Sequence, residues 1–365
     1  MTKPRADKIF FLTILLLLTV GFVIFFSASQ SLLSRSGGAD FGLVSIKQFA
    51  ILLLGLIGMI ITSNIPYKKY QKIAFWIFTF SIALNILVFL PKIGFGAGGA
   101  KRWLDLGPFS FQPSELLKFG FVAYAAYWLS NERDKIQSFS KGILPFLAIL
   151  TIPAVILIKE PDTGTFLVLF SAGATMLFVA GAKWKHLLLL FLGVSMAIGL
   201  WATYKPYVRD RIETFINPTK DMQGASWQIN QSLIAIGSGG LDGRGFGQSI
   251  QKFNFLPEAI GDSIFAVLSE EFGFIGSTLI VIIYVFFCLW GLRIANKATD
   301  LFGRLLALGI VILIGAQAFI NISAMLGLIP LTGVPLTFIS HGGSALIIAL
   351  LEVGVVLNIS RHKAT

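Results

Sequence analysis

The sequence predicts an all-α integral membrane protein with about ten transmembrane helices and one large extracytoplasmic loop between the seventh and the eighth. Three observations lead there. Of the 365 residues, 55% are hydrophobic and only 13% are charged. Apolar runs recur along the whole chain at about twenty residues, the length that crosses roughly 30 Å of hydrocarbon as helix. These runs are continuous, whereas a β-barrel would alternate apolar and polar residues in segments of about ten.

In chain order, residues 1–8 form a basic leader and 9–27 a first span, too long for a signal-peptide core and read as retained. A Ser- and Gly-rich loop (28–47) precedes the second span, 48–63. Tyr67-Lys68-Lys69-Tyr70 is a basic aromatic anchor at an interface, and the third span follows to about residue 90. The loop 91–112 leads to the fourth span, 113–130, with Pro113 fitting a first helical turn. After the charged stretch 131–141 come spans at 142–158, 164–182 and about 187–204. The long polar loop occupies 205–261, and the last spans are 262–292, 305–326 and 342–359. No solenoid repeat is evident, and residues 1–365 are read as a single polytopic membrane domain.

The net charge of +11 is a matter of topology, not of nucleic-acid binding. Lys and Arg sit in short clusters between apolar runs. With the N-terminus cytoplasmic, the inner segments hold far more of them than the outer short loops, so both termini are expected inside. The long loop carries Lys205, Arg209, Arg211, Lys220, Arg244 and Lys252, and long loops translocate largely regardless of charge. The single cysteine, Cys288, excludes an intrachain disulfide. Neither HExxH nor GxSxG occurs, and the three histidines are too scattered for a zinc triad. The glycines at 237–247 lack the strand and the lysine of a nucleotide-binding loop.

Acidic residues concentrate where the long loop meets span eight. Asp262 opens that span, where free N–H groups favour an anion, and its position alone fits a helix cap as well as a base. Glu258 precedes it by one turn, and Glu270 and Glu271 follow about two turns deeper. Burial raises a carboxylate's pKa and a helix dipole lowers it, and a base poised between those effects suits proton abstraction from a hydroxyl. In span four, Glu115 and Lys118 stand three apart, within ion-pair reach. A lysine inside a span is costly unless paired or facing a cavity, so the two are a packing pair or the wall of a charged-substrate pocket. Lys101 and Arg102, beside Trp103, are interface anchors or, with Arg209 and Arg211, a diphosphate clamp. The turn Glu160-Pro161-Asp162-Thr163-Gly164 reads as a turn followed by a helix cap.

The runs SWQINQSLIAIGSGG, GRGFGQSIQKFNFLPEAIGDSIFAVLSEEFGFIG and PLTGVPLTFISHGGSALI resemble the signatures of the SEDS family, the shape, elongation, division and sporulation proteins, over essentially the whole chain. GQSIQKFNFLPE looks closer to the division branch, FtsW, than to the elongation branch, RodA. The resemblance implies a glycosyltransferase that polymerises lipid II into β-1,4 glycan strands and releases undecaprenyl pyrophosphate. It places the family's essential aspartate on Asp262 and its charged pocket on Glu115 and Lys118; His341 stands where the family commonly has tyrosine. Asp262 would then take the proton of the acceptor's 4-hydroxyl, and Lys118, Arg102 and Arg211 would stabilise the leaving diphosphate. Glu258, Glu270 and His341 complete the expected substrate-binding set. No cofactor is fixed, and a divalent cation, Mg or Mn, is left open. Implied partners are lipid II, a class B penicillin-binding protein transpeptidase, other divisome proteins and membrane lipids, in the bacterial inner (plasma) membrane. The alternatives are a lipid II flippase, an elongation-type polymerase, and a scaffold for a transpeptidase.

Overall fold

The computed structural model describes residues 6–362 except 37–38, 91–92, 98–99, 106, 108–109, 220, 222 and 225, so most of the basic leader and Lys220 lie outside the described residues. The apolar runs fold as helices: α1 (Lys8–Ser29), α3 (Ala39–Asn64), α4 (Tyr67–Leu87), α5 (Pro113–Asn131), α6 (Leu144–Lys159), α7 (Thr163–Val179), α8 (Trp184–Tyr204), α11 (Ile264–Asn296), α12 (Leu301–Met325) and α13 (Gly343–Arg361). Among the described residues, eight helices are long and apolar enough to cross a membrane: α1, α3, α4, α6, α8, α11, α12 and α13. Helix α7, at 17 residues, is shorter, and α5 carries the Glu115–Lys118 pair.

Three connections differ from their expected form. Loop 28–47 is largely helical, with α1 running to Ser29, a short α2 (Ser31–Ser36), and α3 starting at Ala39. Loop 91–112 holds a three-stranded antiparallel sheet, β1 (Gly94–Ala97), β2 (Ala100–Asp105) and β3 (Ser110–Phe111), so the fold is not wholly α. The long polar loop contains two further helices, α9 (Pro206–Ile216) and α10 (Trp227–Ser238). Helix α10 buries Ile229, Gln231, Ser232 and Ala235 and packs on α11. Its polar residues, two of which lie on the buried face, hid the helix.

Helix α12 is the hub. It packs against α11, α7, α5 and α13 and is buried along most of its length. Lipid tails offer no hydrophobic reason for helices to associate, so close approach and interhelical hydrogen bonds do the work. Between α3 and α13, a Cβ at Gly354 would collide with the Met59 carbonyl oxygen, and Thr62 Oγ1 donates to the Leu351 carbonyl at 2.9 Å. By contrast, α8 buries only Leu190 and touches the bundle through α7 and α9. Helix α11 breaks at Gly273 (φ +63°, ψ −161°), a backbone conformation that side chains resist. The break separates a short segment, 264–272, from the long one that follows.

Candidate active site

The turn before α11 is built by its own backbone and then pinned from outside. Gly261 N and Ser263 N both donate to the Glu258 carbonyl, at 2.8 and 3.1 Å, with Glu258 itself in the left-handed region at φ +49°. The carbonyls of residues 260, 261 and 262 are each taken by a different donor. Ile260 O accepts from His341 N at 2.8 Å, Gly261 O from Ser340 Oγ at 2.7 Å, and Asp262 O from Asn321 Nδ2 at 2.7 Å. Helix α11 therefore begins at Ile264, two residues later than expected, and Ser263 at its N-cap makes no side-chain capping bond. Asp262 does not cap the helix. Its carboxylate Oδ1 accepts instead from Gln228 Nε2 in the first turn of α10 at 3.0 Å and from Ser263 Oγ at 3.4 Å.

Across from it stands Arg211 of α9, its guanidinium 4.4 Å above the Tyr207 ring. Gly333, at φ +70°, lies between the two, and a Cβ there would come within 3.6 Å of an Arg211 nitrogen and 3.7 Å of Asp262 Oδ2. Arg211 Nη1 is buried without a hydrogen-bond partner. Burial pushes the Asp262 carboxyl up to about 6, with Glu258 adding to the rise and Gln228, Arg211 and Ser263 opposing it. Burial also lowers the Arg211 pKa from its usual value, partly offset by Tyr207, Asp262 and Asp162. A carboxylate ionised near neutrality beside an unsatisfied guanidinium can take a proton while the cation holds an anionic leaving group.

The chain matches, over residues 7–365, the model of a cell cycle protein family named for FtsW, RodA and SpoVE. It belongs to that family. The chain is 40% identical over 362 residues to stage V sporulation protein E of Bacillus subtilis (strain 168), covering 99% of this chain and 98% of that protein. It is 39% identical to a probable peptidoglycan glycosyltransferase FtsW of Geobacter sp. (strain M18), covering 97% and 96%. Among solved structures, one described as showing how a peptidoglycan synthase complex coordinates polymerization and crosslinking aligns with TM-score 0.81 at 27% identity over 98% of both chains. RodA of Thermus thermophilus aligns with TM-score 0.73 at 25% identity over 99% of this chain and 98% of that one. Sporulation and division members of the FtsW/RodA/SpoVE family match almost equally well.

In this family member the other expected site residues lie in several separate settings. Arg102 joins the Asp262 region: its Nε donates to the Glu160 carbonyl at 3.0 Å, a second guanidinium nitrogen donates to the Pro161 carbonyl, and it is an electrostatic neighbour of Arg211. Lys101 and Arg209 are exposed, are not among the electrostatic neighbours of Arg211, and Arg209 pairs with Glu213 at 2.8 Å. Asp162 caps α7 as the turn reading expected, accepting from Thr165 N at 3.2 Å. Glu160 is buried with neither carboxylate oxygen partnered, and burial, with Asp162 beside it and Arg102 opposing, pushes its carboxyl up to about 8.

Glu115 and Lys118 form a separate, buried cluster 2.9 Å apart, and the Lys118 ammonium also donates to Gln317 Oε1 of α12. Glu352 of α13 lies within electrostatic reach of both. Glu270 is not gathered with Asp262. The first turns of α11 carry it about 9 Å beyond the helix start at Ile264, where it accepts from Ser249 Oγ at 2.6 Å, Ile250 N at 3.0 Å and Gln251 N at 3.2 Å and pairs with Arg244. His341 bonds Gln48 through Nδ1 at 2.9 Å and stacks on Phe25, and burial, then Lys47, lower its pKa.

Sequence reasoning singled out neither Gln228, Gly333, Gln317 nor Asn321. Two amides one turn apart on an apolar helix are the signal for the last pair, since polar side chains at that depth need partners. Two cavities meet at Arg211. One of about 460 Å³ is lined by apolar side chains of α6, α7 and α8, among them Leu150, Phe166 and Trp201, and reaches Asp162 and Arg211. The other, about 190 Å³, reaches Arg211 and Gln228.

Proposed function

We propose that this chain is a peptidoglycan glycosyltransferase that joins lipid II units into β-1,4 glycan strands, serving septal wall synthesis in cell division. The observation that carries the reading is the Asp262 carboxylate and the unsatisfied Arg211 guanidinium facing one another across Gly333. Asp262, as general base, accepts the proton of the GlcNAc 4-hydroxyl on the acceptor. The freed oxygen attacks C1 of the donor MurNAc, the C1–O bond to the diphosphate breaks, and inversion at C1 gives the β link. The electron pair leaves with undecaprenyl pyrophosphate, whose charge Arg211 and Arg102 stabilise. The apolar cavity of α6, α7 and α8 suits a polyprenyl chain whose diphosphate ends at Arg211. Among the described residues no three metal-ligating side chains gather. A divalent cation would draw its ligands largely from the diphosphate, and no step here depends on one.

The charge bias supports a chain in the bacterial inner membrane with ten crossing helices, both termini cytoplasmic and Asp262 on the outer face. The likeness to a chain of a complex described as coordinating polymerization and crosslinking supports a class B penicillin-binding protein as partner. The test is glycan-strand formation from purified lipid II in detergent, comparing wild type with Asp262→Asn beside a cognate transpeptidase whose own active site is blocked. Polymer from wild type and none from a normally folded Asp262→Asn is expected. Equal polymer from both removes Asp262 from the mechanism, and none from either, with partner bound, favours a flippase.

A further inference from the structure

The polymerase reading leaves open what fixes the Asp262 carboxylate in place. A turn of irregular backbone, with one residue in the left-handed region, does not hold a side chain to the fraction of an ångström that proton transfer needs. His341 N and Ser340 Oγ hold the Ile260 and Gly261 carbonyls, but both belong to the segment 329–341, itself without regular structure. Asn321 differs. It sits on α12, which is buried along most of its length, and is 1% exposed. Its Nδ2 donates to Asp262 O at 2.7 Å and also to Val334 O at 2.8 Å. Val334 follows Gly333, so one amide group ties the Asp262 turn to the segment that passes beside both Asp262 and Arg211. Its Oδ1 has no partner. Turning the amide over would set that oxygen against two carbonyl oxygens, so the assignment of the amide is fixed by chemistry.

One turn earlier, Gln317 repeats the arrangement. Its Nε2 donates to Pro335 O at 3.1 Å, and its Oε1 receives the Lys118 ammonium, which Glu115 holds at 2.9 Å. We infer that Asn321 is a positioning residue for the Asp262 carboxylate, and that the buried Glu115–Lys118 pair serves the same segment through Gln317 rather than by touching substrate. This rests on the polymerase reading above, in which Asp262 is the base.

The charged groups around Asp262 are Glu258 on its own turn and Arg211 on α9, with Gln228 of α10 and Ser263 as neutral donors. If the turn relaxes, the carboxylate loses part of the burial that raises its pKa most and also Gln228 and Arg211, which lower it, while Glu258 moves with it, so its titration shifts by the difference of opposed effects. The experiment measures kcat, KM for lipid II and the acid limb of the pH–rate profile for wild type, Asn321→Ala, Gln317→Leu and Asp262→Asn, each with the partner transpeptidase. For Asn321→Ala the expected result is a kcat lower by about tenfold to a hundredfold with KM little changed, as for a misplaced reacting group. Its acid limb should move away from the wild-type position. Gln317→Leu should change both in the same direction and by less. The position of the limb reports the active molecules whatever fraction is folded, and Gln317→Leu leaves Asn321 in place should Asn321→Ala fail to assemble. Wild-type kcat in Asn321→Ala, or a limb at the wild-type position in both variants, overturns the positioning role while an inactive Asp262→Asn leaves the polymerase reading standing. Wild-type activity in Asp262→Asn removes both.

Discussion

Asp262 and the pair Glu270–Glu271 lie at opposite ends of one two-turn helical segment, and they are opposites in chemistry. At the far end every charge is answered. Lys252, fully buried, donates to Glu271 at 2.8 Å, Ser27 Oγ at 3.0 Å and Gly247 O at 2.9 Å. Ser27 Oγ meets Glu271 at 2.6 Å, which ties α1 to the kink at Gly273. At the near end, Asp262 has two neutral donors on one oxygen, and the closest guanidinium keeps a nitrogen unpartnered. A saturated carboxylate holds structure, because any ligand would have to displace bonds already made. An unsaturated one beside an unpartnered cation is available to a substrate.

That contrast can be broken or sharpened by measurement. The largest effect should come from Asp262→Asn, with loss of a general base lowering kcat by about 10²- to 10⁴-fold while the melting temperature holds. Because the carboxyl is raised to about 6, it is charged at neutral pH, and the wild-type rate should fall as pH drops through that value. Lys252→Met should do the reverse. Stranding the Glu271 charge costs about 3–5 kcal/mol of stability, seen as a lower melting temperature in detergent, with turnover per folded molecule unchanged. Activity lost without stability there would place the knot in the chemistry. Arg211→Ala removes charge-assisted bonds to the diphosphate and should lower kcat/KM about tenfold to a hundredfold, and Arg211→Lys should restore only part. The smallest effect concerns Glu160. Its carboxyl, ordinarily at 4.5 and here about 8, favours the fold while protonated, so that contribution is lost as pH rises from 4.5 through about 8. Glu160→Gln should flatten the decline in stability between pH 6 and 8.5 by roughly 1–2 kcal/mol, and an unchanged slope in thermal melts would contradict the assignment.

Asp262, Arg211 and Arg102 were legible in the sequence because charges beside apolar runs are conspicuous, and the tethers were not. Gln228 lies in a polar run where it stands out from nothing, and Asn321 is one amide in an apolar helix. Their meaning comes from Asp262, whose carboxylate accepts from Gln228 at 34 residues' distance in the chain and whose carbonyl accepts from Asn321 at 59. Glu270 misled because proximity in sequence to Asp262 suggests one site, and the helix that joins the two also separates them. The sheet of 94–111 escaped because its strands are short and Gly-rich, too short for period-two alternation to register.

The family's long motifs and the helical apolar runs follow from local composition, since crossing hydrocarbon demands continuous apolar helix whatever the neighbours are. Membership in the family and the class of fold were therefore decided by the chain alone. Which carboxylate is saturated and which is not was decided by tertiary structure, because that depends on donors brought from α1, α10 and residues 249–252, and hydrogen bonds between distant segments leave no periodicity in the sequence that makes them.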